Sequence, residues 1–160
     1  MKIPNFAVVL VDMQFFFVEW ILSEERKTMI QAQLAVIRLC RELDIQLVVL
    51  EYTGWGDTIS PLREELLLCQ NVIFLEKDWQ DGFLFSELEN ALNRLSLKNL
   101  FFMGVNANGC VRATASTAIK KGCAVYTHSS VIAQKHGQDK NLNWYQENTT
   151  LLEFSQLLNK

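Results

Sequence analysis

The sequence is poor in the residues that build metal and disulfide sites. Its 160 residues include two histidines and four cysteines, the cysteines at positions 40, 69, 110 and 123. No two cysteines form a C-x-x-C pair or a zinc-like spacing, and a chain of this length can bury a sufficient core without disulfide bonds. We therefore expect free thiols and no bound metal.

The chain also lacks a surplus of basic residues and a long apolar run. Fifteen Lys and Arg against 18 Asp and Glu give a net charge of −3, whereas proteins that bind nucleic acid usually carry a basic surface. The apolar run from Ala7 ends at Asp12, far short of the roughly 20 residues of a transmembrane helix. We expect no nucleic-acid partner, no membrane association and, because no signal-peptide pattern is present, a cytoplasmic location.

Proline and glycine are scarce, with two and seven residues, and no Pro-, Gly- or Ser-rich stretch divides the chain. Residues 1–160 are therefore predicted to form one domain. Short β-branched or aromatic runs predict strands over 6–11, 46–52, 72–75, 100–103 and 124–127. Helical patterns cover 23–43, a segment from about 60, a segment from 86, 110–121 and 147–158.

This alternation of strands and helices predicts an α/β fold. We expect a doubly wound, Rossmann-like parallel sheet of five or six strands with helices on both faces. Ser86, with Glu89 three residues later, predicts a capping box at one helix start. The segment from Ser129 to Asn143 is polar and weakly patterned, and its role is left open.

In such a sheet the ligand site lies beyond the carboxyl ends of the strands. Asp12 follows the first strand, Lys77 the third and Cys110 the fourth, so the three are predicted at one edge. Cys110 comes at a helix start, which favours a thiolate nucleophile, although a buried structural thiol is an equal alternative. Asp12 is either a general base or a cap of the next turn. Lys77 is either a solvated strand end or, near the other two, a charge that lowers the thiol pKa.

The loop before Cys110 excludes a nucleotide. Gly104 and Gly109 have the spacing of a phosphate loop, but Cys110 and Val111 occupy the places of the required Lys and Ser/Thr. A dinucleotide fingerprint is also missing, so we expect no cofactor.

Three sequence blocks, in this order, resemble the isochorismatase-like cysteine hydrolases, which include nicotinamidases, ureido-group amidohydrolases and carbamoylsarcosine amidases. The blocks are Val9–Gln14 with Phe17; Glu76–Lys77 with Gly82–Phe83 and Ser86–Leu88; and Gly104–Val111 with Thr114, Ala118 and Gly122.

This resemblance implies Asp12 as the base, Lys77 as its electrostatic partner and Cys110 as the nucleophile that forms a thioester. It also implies a cis peptide between Val105 and Asn106, with the N–H groups of Asn106 and Cys110 directed at the oxyanion. A homo-oligomer is a further implication, and the Leu- and Phe-rich C-terminal segment is a second ground for expecting one.

Two features depart from the family pattern. Nicotinamidases carry an Asp-x-His metal motif after the second strand, where this chain has Glu51-Tyr-Thr-Gly-Trp55. Many members have an acidic residue after the fifth strand, where this chain has His128. His128 stands at a strand end, which favours a capping or surface role, and it is kept as an alternative base in a Cys–His dyad. Members that cleave the isochorismate vinyl ether lack the cysteine, so Cys110 favours C–N hydrolysis.

The leading hypothesis is a metal-independent cysteine amidohydrolase that acts on a small, mostly planar carboxamide or ureido compound. The alternative is a catalytically silent binding or assembly module of the same fold, in which Cys110 is not activated. Aromatic residues in the loops after the first three strands are candidates for the wall of a small pocket, and core packing is an equal alternative for each of them. They are Phe17, Trp20, Trp55, Trp79 and Phe83.

Overall fold

One parallel sheet of seven strands organises the computed structural model, which describes residues 4–159. Its order is β3-β2-β1-β4-β5-β7, and β6 pairs with the end of β4. The strands are β1 (Phe6–Val11), β2 (Gln46–Tyr52), β3 (Val72–Lys77), β4 (Asn99–Val105), β5 (Ala124–Thr127), β6 (Ile132–Ala133) and β7 (Thr150–Leu151). The predicted doubly wound α/β fold is confirmed, but the sheet has seven strands instead of the expected five or six, because the two-residue strands β6 and β7 also pair with it.

The central strands are continuous apolar runs because the sheet is covered on both faces. Every residue from Ala7 to Val11 in β1 is fully buried, as are Leu100 to Met103 in β4. In register, Val9 lies between Val48 of β2 and Phe102 of β4.

Helices flank this sheet, and no helix among residues 4–159 has the length and apolar character to cross a bilayer. They are α1 (Phe15–Val18), α2 (Ser23–Leu43), α3 (Leu62–Leu66), α4 (Leu88–Arg94), α5 (Arg112–Lys120), α6 (Leu142–Asn148) and α7 (Phe154–Leu158). A π-helical turn, Ala107–Val111, precedes α5, and 3₁₀ turns cover Ser129–Val131 and Lys135–Gly137.

The strand order reverses between β1 and β4, so a crevice opens beyond their carboxyl ends. The backbones of β1 and β4 approach closely there. Gly104 has φ +132°, and a Cβ at this position would lie 2.1 Å from the Val11 carbonyl oxygen. Only glycine fits this contact, which sets Asp12 beside the loop that follows β4.

Several predicted element boundaries are wrong. The helix predicted over 147–158 is divided into α6, β7 and α7, because Thr150 and Leu151 pair with β5 and extend the sheet. The predicted capping box is absent: α4 begins at Leu88, and the Ser86 hydroxyl accepts the Leu88 N–H at 3.2 Å and donates to a carbonyl. The helix predicted over 110–121 begins instead with the π-helical turn.

The C-terminal apolar side chains pack inside the chain. Phe154 and Leu157 are buried, and the Phe154 ring contacts Phe6 and Phe101 with ring centroids 5.9 and 5.1 Å apart. These residues therefore offer no surface to a second copy, and the homo-oligomer stays a prediction that rests on the family resemblance.

Candidate active site

Three different strands bring Asp12, Lys77 and Cys110 together at the carboxyl edge of the sheet. Asp12 follows β1, Lys77 ends β3 and Cys110 lies in the π-helical turn after β4. The Lys77 Nζ atom is 3.0 Å from the Asp12 Oδ2 atom, and the two side chains are 0% and 2% exposed. Cys110 lines the same cavity as Asp12, and the charges of Asp12 and Lys77 both act on its thiol.

Lys77 reaches Asp12 across β2, which lies between their strands. Its Nζ atom passes 4.2 Å from the centre of the Tyr52 ring, and Tyr52 is its partner in the strand register. Nζ also donates to the Trp79 carbonyl at 3.0 Å. The ammonium is therefore held by an anion, a carbonyl and an aromatic face, on a side chain that is 0% exposed.

The backbone of Asp12 is held by the sheet while its carboxylate is free of the backbone. Its N–H donates to the Leu50 carbonyl at 3.0 Å, and its φ is +53°. Among the described residues, no backbone N–H or hydroxyl donates to either carboxylate oxygen. The carboxylate thus pairs with Lys77 and, within the described residues, caps no backbone N–H group, which excludes the turn-capping alternative.

Burial dominates the electrostatics of the site. It raises the pKa of Asp12, and Lys77 opposes this shift. Burial and then the Asp12 charge raise the pKa of Cys110 to about 12, against a smaller lowering by Lys77. Lys77 acts on the thiol in the expected direction, but the net shift is opposite to the one expected from the sequence. The raised pKa favours the protonated thiol over the thiolate at neutral pH.

The loop that carries Cys110 is wound around Asn106. The peptide bond between Val105 and Asn106 is cis. The Asn106 carbonyl accepts the N–H groups of Gly109 and Val111 at 2.9 and 3.2 Å. Thr114, one turn into α5, donates its hydroxyl to the Cys110 carbonyl at 2.8 Å.

A cavity of about 330 Å³ opens onto the thiol. Its walls are Asp12, Phe17, Tyr52, Trp55, Gln80, Asn106, Gly109 and Cys110. Lys77 lies behind Asp12, outside this lining. A second cavity, of about 360 Å³, lies at the opposite edge among mainly apolar side chains such as Phe6 and Leu97, without a nucleophile.

Two of the five predicted aromatic residues, Phe17 and Trp55, line the cavity, and the other three do not. Trp20 packs against His136 with ring centroids 5.3 Å apart. The Phe83 ring lies 5.7 Å from the Lys121 ammonium. Trp79 is 51% exposed and contributes its carbonyl to Lys77. Whether each aromatic side chain reaches the cavity therefore depends on the path of its loop, which the sequence pattern does not report.

Tyr52 and Gln80 line the cavity but were not predicted from the sequence. Tyr52 ends β2 at the same edge as Asp12, so the rule that located Asp12 would also have found it. Gln80 lies in the irregular loop after β3, where no periodic pattern indicates the direction of a side chain. Gly109 contributes backbone only.

Gln14 holds the loop that carries Trp55 by hydrogen bonds to the backbone on both sides of Trp55. It is fully buried, and its amide donates to the carbonyls of Tyr52 and Gly56 at 2.9 and 2.8 Å. Its oxygen accepts the Tyr52 N–H at 2.8 Å. Trp55 then stacks on Phe16 with ring centroids 4.2 Å apart, which completes one wall of the cavity mouth.

The residues at the end of β2 and in the loop after it do not fit the metal site of nicotinamidases. The Glu51 carboxylate accepts the Thr58 N–H and, at 2.8 Å, the Thr58 hydroxyl. Neither His128 nor His136 lines the cavity, and His128 Nδ1 is 2.8 Å from the Ser130 hydroxyl oxygen. Within residues 4–159, no three His, Cys, Asp or Glu side chains form a group able to hold a metal ion.

The family model described as Isochorismatase domain matches residues 6–148 of the sequence. The chain belongs to the isochorismatase family. The predictions of this family and of a hydrolase are therefore confirmed. No curated protein shows significant sequence similarity to this isochorismatase-family chain.

Solved structures of the same fold cover almost all of this family member. An isochorismatase-like hydrolase from Alkaliphilus metalliredigens is 23% identical, covers 98% of this chain and 98% of its own, and has a TM-score of 0.83. The nicotinamidase from Staphylococcus aureus is 18% identical over 93% and 99%, with a TM-score of 0.78. The N-carbamoylsarcosine amidase from Thermoplasma acidophilum is 20% identical over 92% and 95%, with a TM-score of 0.73. At these identities the similarity is one of fold.

Proposed function

We propose that this isochorismatase-family chain hydrolyses the C–N bond of a small, neutral, planar carboxamide or ureido compound through a thioester on Cys110. The observation that carries the proposal is that Cys110 and the buried Asp12 carboxylate line one cavity, with Lys77 Nζ 3.0 Å from Asp12. Two similar structures, a nicotinamidase and an N-carbamoylsarcosine amidase, are named for amide hydrolysis and support it.

In the first half-reaction, Asp12 takes the thiol proton while the sulfur bonds to the substrate carbonyl carbon. The proton passes from Asp12 to the leaving nitrogen, the C–N bond breaks, and ammonia or an amine departs. We propose the N–H groups of Asn106 and Cys110 as the donors that stabilise the oxyanion. In the second half-reaction Asp12 deprotonates a water, which attacks the thioester and releases the acid and the thiol.

The environment of Asp12 suits this role. Burial raises its pKa towards the working pH, and a base is most effective when its pKa lies near that pH. The thiol, with its pKa raised to about 12, stays protonated until Asp12 accepts its proton. Lys77 favours the deprotonated, charged form of Asp12 and does not line the cavity, so it is an electrostatic partner of the base.

The charges of the cavity favour a neutral substrate. Asp12 is the charged side chain in its lining, and the Lys77 ammonium is already bound to Asp12 and to the Trp79 carbonyl. A substrate carboxylate would meet no counter-ion and would be repelled by Asp12. The rings of Phe17, Tyr52 and Trp55 suit a flat, weakly polar body.

A catalytically silent binding module is the second candidate, favoured by the raised pKa of the Cys110 thiol. The experiment that separates the two measures ammonia release from neutral amides and ureas and from carboxylate-bearing N-carbamoyl amino acids. We expect turnover of a neutral compound, an acyl or carbamoyl adduct on Cys110 by mass spectrometry, and no activity in Cys110→Ala. Cys123→Ala, at a thiol of similar exposure, is the matched control.

Failure of every neutral amide and urea to release ammonia or to form an adduct would favour the silent module. Turnover by Cys110→Ala would refute the thioester. A preference for carboxylate-bearing substrates would refute the neutral pocket. A cytoplasmic location and a homo-oligomer remain predictions, and the mass of the protein in solution at micromolar concentration tests the second.

A further inference from the structure

Residues 132–145, which follow β5, pair with the end of β4 and donate and accept hydrogen bonds along the loop that leads to Cys110. β6 pairs with the end of β4, with Ile132 opposite Gly104 and Ala133 opposite Val105. Three hydrogen bonds then join successive residues of the loop to residues 134–145. They are the Lys135 N–H to the Asn106 side-chain oxygen at 2.9 Å, the Tyr145 hydroxyl to the Ala107 carbonyl, and the Asn108 N–H to the Gln134 side-chain oxygen at 2.8 Å.

Gln134 holds the part of the loop nearest to the nucleophile. It is 8% exposed and lies outside the cavity lining, so its amide does not touch a substrate. Asn108 and Gly109, directly before Cys110, depart from helical geometry, with φ/ψ of −97°/15° and −126°/−110°. Regular helical hydrogen bonds therefore do not set this stretch. Instead, the Asn106 carbonyl accepts the Gly109 and Val111 N–H groups, and the Gln134 side-chain oxygen accepts the Asn108 N–H.

We infer that Gln134 is a positioning residue for the nucleophile: by accepting the Asn108 N–H, it keeps the Cys110 thiol against Asp12. The inference rests on the proposed function for its kinetic consequence. It also assigns a role to the weakly patterned segment between Ser129 and Asn143, which supports the catalytic loop rather than the substrate.

The test replaces the acceptor while keeping the size of the side chain. Gln134→Met removes the oxygen, Gln134→Glu retains an oxygen acceptor at the same reach, and Gln134→Asn draws the amide back by one carbon. The control is Gln46→Met at the opposite edge of the sheet, where the amide donates to the carbonyls of Leu47 and Asn71 at 3.0 and 3.3 Å.

We expect Gln134→Met to lower kcat about 10- to 100-fold with KM within about threefold, because small displacements of a reacting group have effects of this size. Gln134→Glu should keep kcat within about threefold of the wild type, and Gln46→Met should be unchanged. The kcat of Gln134→Asn should lie between those of Gln134→Met and Gln134→Glu. If Gln134→Met does not fold, Gln134→Asn is compared with the wild type in its place. A purely structural role would change Tm and leave kcat per folded molecule unchanged.

Alkylation of Cys110 by iodoacetamide, followed by mass spectrometry of its peptide across pH, supplies a readout independent of turnover. Burial and Asp12 raise the pKa of this thiol, so a displaced thiol in Gln134→Met should react at lower pH, closer to the roughly 8.5 of a free cysteine. An unchanged profile and kcat in a folded Gln134→Met, or a Glu variant as impaired as Met, would overturn the inference. If the wild type turns over no amide, the proposed function fails and the alkylation profile still decides the role of Gln134.

Discussion

Replacing Lys77 by methionine tests the electrostatics of the site, because it removes a buried charge and keeps a long unbranched side chain. The ammonium lies 3.0 Å from Asp12, and neither side chain is more than 2% exposed. Once it is gone, no backbone N–H or hydroxyl among the described residues donates to the carboxylate. The variant therefore leaves an uncompensated buried anion.

Removing one partner of a buried ion pair typically costs about 3–5 kcal/mol of the free energy of unfolding. For a domain of this size, 1 kcal/mol corresponds to about 2–4 °C in Tm, so Lys77→Met should melt roughly 6–20 °C below the wild type. Combining Lys77→Met with Asp12→Asn removes both charges, and this double variant should be more stable than Lys77→Met.

The loss should depend on pH, with a sign that follows from Asp12. Burial already raises the pKa of Asp12 above its ordinary value of 3.8, and loss of Lys77, which lowers it, raises it further. Between the unfolded and the native pKa the native state binds more protons, so stability falls as pH rises through that window. The deficit of Lys77→Met should be smallest near pH 4 and grow towards neutral pH, and the double variant should lack this slope.

Thermal and urea unfolding, followed by circular dichroism from pH 4 to 8, measures these differences. Lys121→Met is the matched control, because Lys121 pairs with Glu89 at 2.8 Å on the surface, where the side chains are 37% and 49% exposed. Such pairs contribute about 0–1 kcal/mol. A Lys77→Met variant no less stable than Lys121→Met, or one whose deficit does not change with pH, would refute the reasoning.

Three further predictions concern turnover and the backbone. Asp12→Asn should lower kcat by about 10²–10⁴, the usual contribution of a general base, and activity as high as that of the wild type would exclude Asp12 from proton transfer. Turnover should rise with pH with a midpoint above 3.8, because only ionised Asp12 accepts the proton and burial raises its pKa; a kcat profile that is flat from pH 4 to 7 would contradict this. Gly104→Ala should prevent folding or lower Tm by more than about 10 °C, since its Cβ would meet the Val11 carbonyl oxygen. Gly122→Ala, at φ +89° with open space around it, should cost only about 1–2 kcal/mol, and equal losses would show that the close approach is unimportant.

Much of the fold could be predicted because local patterns carry it. A strand buried on both faces must be apolar throughout, so β1 and β2 were predicted with the bounds that the structure has. Parallel strands end at one edge, so a charged residue directly after a strand, such as Asp12, is placed by topology. The C-terminal helix was predicted wrongly because the pairing of Thr150 and Leu151 with β5 is a long-range contact that helical periodicity does not report.

Sequence determined which chemical groups share an edge. The Asp12 carboxylate follows β1, the Lys77 ammonium ends β3, and the Cys110 thiol lies in the loop after β4. Tertiary structure decided how those groups behave and what surrounds them. The pKa of the thiol rises because burial and Asp12 outweigh Lys77, a balance that depends on three-dimensional distances. Likewise Trp55 faces the cavity and Trp79 does not, because long-range contacts, such as those of Gln14 with the carbonyls of Tyr52 and Gly56, set the backbone path of an irregular loop.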